Sequence, residues 1–153
     1  MPKPNRKQAL SELSLEVFRL TARLNMLGDR LASKAGLSTS RWQLLGAIAA
    51  SDEPESVAGV ARRMGLQRQS VQRTADTLAE QRFINYIPNP NHQRAKLTVL
   101  TDAGMEALET MHDLRDEWAD EIKNQLELKR LLQATETLVD LRKLLEKDSN
   151  GAT

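Results

Sequence analysis

The apolar positions of this chain fall first into a helical rhythm. Leu10, Leu13, Val17, Leu20, Leu24, Leu27 and Leu31 are separated by alternating steps of three and four, which places them on one face of a helix over about residues 8–35, ended by Gly36. The residues before it, with Pro2 and Pro4 among polar and basic neighbours, read as a disordered tail through Lys7. Ser38 or Thr39 caps a second helix over about 40–50, with Trp42, Leu45, Ile48 and Ala49 on one side. The cluster Ser51, Asp52, Glu53 and Pro54 closes it as a loop. Ser56 then caps a short third helix striped by Val57, Val60, Ala61 and Met64, which Gly65 breaks. A fourth helix follows, its first turns rich in Gln, Arg and Ser and its inner face formed by Ala75, Leu78 and Ala79.

After this helix the period changes. Residues 83–87 and 96–100 are β-favouring runs around a polar loop containing Pro88 and Pro90, which predicts a hairpin with a long exposed tip. Thr101 caps a helix over about 102–125, with Asp102 near its positive end and Met105, Leu108, Met111, Trp118, Ile122 and Leu126 on its apolar side. A last helix over about 127–147 repeats the leucine seam with Leu131, Ala134, Leu138, Leu141 and Leu145, before a polar, frayed tail over 148–153. The expected fold is mainly α with a small β-hairpin wing. A short helix, a Gly turn, a polar-faced helix and a hairpin together make a winged helix-turn-helix over 38–101, within a single domain over 1–153.

Charge sharpens this picture. The chain carries 22 Lys plus Arg against 21 Asp plus Glu. Residues 1–55 hold 8 basic and 6 acidic side chains, residues 56–100 hold 7 and 2, and residues 101–153 hold 7 and 13. The basic segment is the winged helix, the distribution expected when that part faces a polyanion. Absent residues exclude other chemistries. With no cysteine there is no disulfide framework, thiolate metal site or cysteine nucleophile. No Gly-rich phosphate loop, His-Glu-x-x-His or Gly-x-Ser-x-Gly motif occurs, so neither an enzyme nor a cofactor is expected. His112 and Asp116 are four apart on a helix, but with no further His nearby they read as a solvated face and no metal is expected. Residues 1–20 lack the apolar stretch of a secretory signal and no run approaches a bilayer span, which predicts a soluble, cytoplasmic protein without membrane association.

The polar helix and the hairpin suit double-stranded DNA. Gln pairs with adenine edges, Arg with guanine edges, and Ser with bases or phosphate, so Gln67, Arg68, Gln69, Ser70, Gln72 and Arg73 are candidate major-groove readers. Arg62 and Arg63 on the preceding helix are candidates for phosphate. His92 and Arg94 lie on the wing, and a lone Arg there suits a narrow minor groove. The bland alternative is a winged-helix protein-protein interaction module without DNA-binding activity.

The wing reads Asn89-Pro90-Asn91-His92-Gln93-Arg94-Ala95 and runs on to Leu100-Thr101-Asp102-Ala103-Gly104. In this it resembles the MarR family of bacterial transcriptional regulators, whose pattern there is close to Asp-Pro-x-Asp-x-Arg-Ala followed by Leu-Thr, two residues and Gly. The resemblance covers nearly the whole chain. It implies a homodimeric regulator, more often a repressor, on a pseudo-palindromic operator, with residues 8–35 and 102–147 as dimerisation helices. Leu10, Leu13, Val17, Leu138, Leu141 and Leu145 are the corresponding dimer candidates, although seams of this spacing also serve packing within one chain. The resemblance further implies a small aromatic or amphipathic effector between the dimerisation helices and the winged helix, with Met26, Trp42 and Leu45 as ligand candidates. Trp42 and Trp118 read equally as core residues. Two departures stand out. His92 replaces the family's Asp two residues before the wing Arg, so that Arg is expected to be held differently and the wing to gain charge at mildly acidic pH. Arg82 stands where a Gly commonly closes the recognition helix, so that helix is expected to end differently.

Overall fold

A computed structural model describes residues 5–150, with side chains through 147; the tails expected at residues 1–4 and 151–153 lie outside the described residues. Helix α1 spans Arg6–Lys34 and starts earlier than the sequence pattern suggests. Asn5 Oδ1 accepts from the Gln8 N–H at 2.9 Å while Gln8 Oε1 accepts from the Asn5 N–H at 3.0 Å, a reciprocal capping box that draws residues 6 and 7 into the helix. At its far end Gly36 adopts φ +70°, and the Leu37 N–H donates to Ala32 O.

Helix α2 spans Thr39–Ala49 and is capped from outside its own segment. Ser38 occupies the cap position, but its Oγ accepts from Arg41 Nε at 3.1 Å and not from a backbone N–H of the helix, and Asp29 of α1 accepts both the Thr39 N–H at 2.9 Å and the Thr39 hydroxyl at 2.8 Å. These two bonds hold the Asp29 carboxyl below its ordinary range. Gly28 permits the approach, since a Cβ there would lie 2.6 Å from Thr39 Oγ1. The inner face of α2 is Leu44, Leu45 and Ile48, and Ala49, expected inside, is exposed.

Helix α3 spans Val57–Met64, with Ser56 Oγ accepting from the Gly59 N–H and Gly65 closing it at φ +67°. Helix α4 spans Arg68–Glu80 and buries Val71, Ala75 and Leu78. Arg82 adopts φ +62°, the left-handed conformation that a glycine would take, and the Phe83 N–H donates to Leu78 O. The expectation that this helix closes differently is therefore corrected: Arg82 makes the same kind of turn, at a backbone cost of about 1–2 kcal/mol.

The wing is larger than a hairpin. Strand β1 (Glu55–Ser56) pairs antiparallel with β3 (Leu97–Leu100), which pairs on its other side with β2 (Ile84–Ile87), giving the order β1-β3-β2. Thr98, buried in the middle strand, donates its hydroxyl to Glu55 O. The short β1 strand evades a sequence reading because two residues after a proline loop carry no alternating pattern.

Helix α5 spans Asp102–Ile122, followed by a 3-10 turn at Lys123–Gln125 and helix α6 at Leu128–Asn150. The 3-10 turn shortens the first of these relative to expectation, and α6 runs on into the segment expected as tail. Thr101 explains its own motif: its hydroxyl accepts from the Gly104 N–H at 3.1 Å and faces Arg82 O and Phe83 O. Gly104 has no room for a side chain, since a Cβ would lie 2.0 Å from Phe83 O. The buried stripe of α5 is accordingly Gly104, Ala107, Leu108 and Met111, while Met105, expected inside, is exposed.

The chain divides into two compact units, Met1–Leu114 and Arg115–Thr153. In the first, Leu31, Leu44, Leu45, Val60, Val71, Leu78, Ile84, Leu108 and Met111 form the core beneath the winged helix. In the second, α6 exposes Leu128, Leu131, Leu132, Leu138 and Leu144.

Candidate nucleic-acid interface

Helix α4 is held by one side and open on the other. With Val71, Ala75 and Leu78 in the core, Gln67, Arg68, Gln69, Ser70 and Arg73 are left exposed on its first two turns. These five sequence candidates thus cluster around the amino-terminal end of the helix, with Gln67 at the cap position, the end that presents backbone N–H groups and a partial positive charge. Gln72 is half-buried and turned toward the wing. Its Nε2 donates to Asp76 Oδ1 at 2.9 Å and to Tyr86 Oη at 3.0 Å, and Tyr86 Oη donates to Asp76 Oδ1 at 2.8 Å. Burial, then the hydrogen bond and charge of Asp76, push the Tyr86 phenol well above its ordinary range, so it remains an O–H donor.

The wing tip is organised by short polar contacts. Asn89 Oδ1 accepts from the Asn91 N–H, and His92 Nδ1 accepts from the N–H groups of Arg94 and Ala95 at 3.3 and 3.1 Å. His92 therefore caps the backbone of the turn, an acceptor's work, and leaves the Arg94 side chain exposed. Arg94 and Lys96 from the wing, Arg68 and Gln72 from α4, and Tyr86 line one cleft of about 240 Å³ together with the start of α3. Three cations on two elements thus face the same space.

The remaining candidates separate. Arg62 is exposed on α3, whereas Arg63 braces the fold: its Nη2 donates to Ala47 O at 2.6 Å and to Glu55 Oε2 at 3.2 Å. Met26 is exposed on α1, Trp42 is half-buried and Leu45 lies wholly in the core. None of these three lines the cleft beside the wing. Of the dimer candidates, Leu10, Leu138 and Leu145 are exposed and Leu13, Val17 and Leu141 half-buried. Lys96, Tyr86 and Asp76 are the site residues that sequence reasoning missed. The Gln72–Asp76 pair was discoverable, because Gln and Asp four apart on a helix are hydrogen-bonding neighbours. Among the described residues no helix is long and apolar enough to cross a membrane.

A recognition helix with Arg68 and Arg73 on its first two turns, beside an Arg-bearing wing on a three-stranded sheet, defines a winged helix-turn-helix protein. Residues 35–95 match the model of the MarR family. The uncharacterized protein Rv2011c of Mycobacterium tuberculosis is 35% identical over 102 residues, 67% of this chain and 70% of that protein. Among solved structures, a mutant MarR from E. coli complexed with operator DNA superposes with a TM-score of 0.76 at 18% identity, covering 90% of this chain and 99% of that one. MarR of Staphylococcus aureus in complex with salicylate and kanamycin gives 0.77 at 17% identity, over 93% and 96% of the two chains. The chain belongs to the MarR family, whose members are DNA-binding transcription regulators and not enzymes.

Proposed function

We propose that this regulator is a homodimeric repressor that reads a pseudo-palindromic operator with α4 in the major groove and Arg94 in the minor groove. The observation that carries the reading is the shared cleft: Arg68 of the recognition helix and Arg94 and Lys96 of the wing face one space, beside the exposed row Gln67, Gln69, Ser70 and Arg73. A duplex running past α4 into the wing meets base-reading amides and guanidinium groups in the first region and cations in the second. Arg62 is a further phosphate contact, whereas the internal bonds of Arg63 favour a bracing part. The exposed leucines of α1 and α6 support the dimer, which a strong site requires because two recognition helices must sit about 34–36 Å apart to enter successive major grooves. The salicylate complex of the S. aureus neighbour supports a small aromatic or amphipathic effector acting on this dimer.

Selection of bound duplexes from a random DNA pool at about 150 mM salt tests the proposal, since screening there limits non-specific attraction. A palindrome with half-sites about ten base pairs apart is expected. No enrichment would instead point to a winged-helix module that binds protein.

A further inference from the structure

The three-residue network of Gln72, Asp76 and Tyr86 fixes what one recognition residue can say to a base. Asp76 is a carboxylate, an acceptor at both oxygens, so the Gln72 amide must turn its nitrogen toward it; the opposite orientation would set oxygen against oxygen. The same Nε2 lies 2.9 Å from Asp76 Oδ1 and 3.0 Å from Tyr86 Oη, which accounts for both of its hydrogens. Tyr86 in turn donates its single hydrogen to Asp76 Oδ1 at 2.8 Å, closing the ring of donors and acceptors. A free Gln side chain pairs with adenine through both ends of its amide. Here the donor end is engaged within the protein, and Oε1 alone remains for a ligand. Gln72 lies four residues after Arg68 on α4 and lines the cationic cleft with Arg68, Arg94 and Lys96, which places this residue on the surface proposed to meet DNA.

We infer that Gln72 is a specificity-determining residue acting as an acceptor only, selecting bases that offer an exocyclic amine in the major groove, adenine N6 or cytosine N4, and rejecting guanine and thymine, which present carbonyl oxygens there. Asp76 and Tyr86 are positioning residues that hold the amide in this sense. The inference rests on the DNA-reading function proposed above and names the chemistry one position recognises.

Duplex selection with wild type, Gln72→Met, Tyr86→Phe and Asp76→Ala tests it. The operator position read by Gln72 is the one whose preference Gln72→Met erases. At that position the wild type is expected to favour adenine and cytosine over guanine and thymine by about fivefold or more, the worth of one well-placed hydrogen bond. Tyr86→Phe and Asp76→Ala each release a donor of the amide, so guanine and thymine become accepted and the discrimination falls to within about twofold. Melting followed by circular dichroism shows that each variant is folded, and either one suffices. A preference for guanine or thymine in the wild type, preferences untouched by Gln72→Met, or an unchanged profile in the two folded network variants would overturn the inference while leaving DNA reading intact. A wild type that enriches no motif would overturn both.

Discussion

The winged helix and the two terminal helices solve opposite problems. Among the described residues the fully buried apolar side chains lie between Leu31 and Met111, whereas the front of α1 exposes Leu10, Leu15, Leu20, Leu24 and a Phe18 that is 73% accessible. Helix α6 likewise exposes leucines along its length. A long helix in water is held mainly by the burial of an apolar face, and each of these two elements carries exposed leucines that such burial would cover. The winged helix, by contrast, packs its apolar side chains into a core shared with the end of α1 and the start of α5 and leaves polar side chains outward. The difference supports the proposal that the winged helix reads DNA and that the terminal helices bring two copies together.

The largest effect is expected at the leucine seams. In the proposed dimer, Leu13→Asp with Leu141→Asp sets four carboxylates into the apolar seams. Each costs at least about 1–3 kcal/mol, so self-association measured by sedimentation falls by more than about 100-fold. The melting of the winged helix is expected to change little. An intact dimer would show that the seams pack within one chain. Next comes the core itself: Gly104→Ala drives a methyl group into Phe83 O and is expected to destabilise the fold by about 3 kcal/mol in denaturant unfolding. A neutral result would mean that α5 can shift at no cost.

Two smaller effects are expected at helix ends. Arg82→Gly relieves a left-handed backbone and is expected to stabilise the protein by about 0.5–1 kcal/mol, the strain of about 1–2 less the extra freedom glycine gives the unfolded chain. Loss of stability would argue for an essential contact of the Arg82 side chain. Asp29→Asn is expected to lower the melting temperature at neutral pH. Because the folded state holds the Asp29 carboxyl below its unfolded value, its contribution is complete above the ordinary range near pH 4. As pH falls below that range the contribution is lost, and the two melting curves converge. A gap that persisted at pH 2 would contradict the ionic origin of the cap.

What the sequence disclosed, and what it hid, divides along the same physical line. Helix faces, the Gly65 turn and the Leu100-Thr101-Gly104 run are local patterns, and each names a local constraint that the structure satisfies. The Asn5–Gln8 capping box was equally local, but two prolines just before it gave the stronger impression of a tail. Pairings between distant segments left no such mark. Strand β1 exists only against Leu97 and Thr98, Arg63 finds Ala47 and Glu55 through the fold, and Asp29 caps a helix ten residues away. At the site the sequence supplied the exposed row on α4 and Arg94. It did not reveal that Gln72 is engaged by Tyr86, because that contact joins a helix to a strand.

The claim that α4 and the wing together form the DNA-reading surface is tested most directly by the salt dependence of binding to the selected duplex, for wild type and Arg94→Ala, between about 50 and 200 mM salt. Arg94→Ala is expected to weaken binding to operator and unrelated duplexes alike, and to make the slope of log affinity against log salt shallower by about one unit. The same affinity and slope for both proteins would contradict the claim.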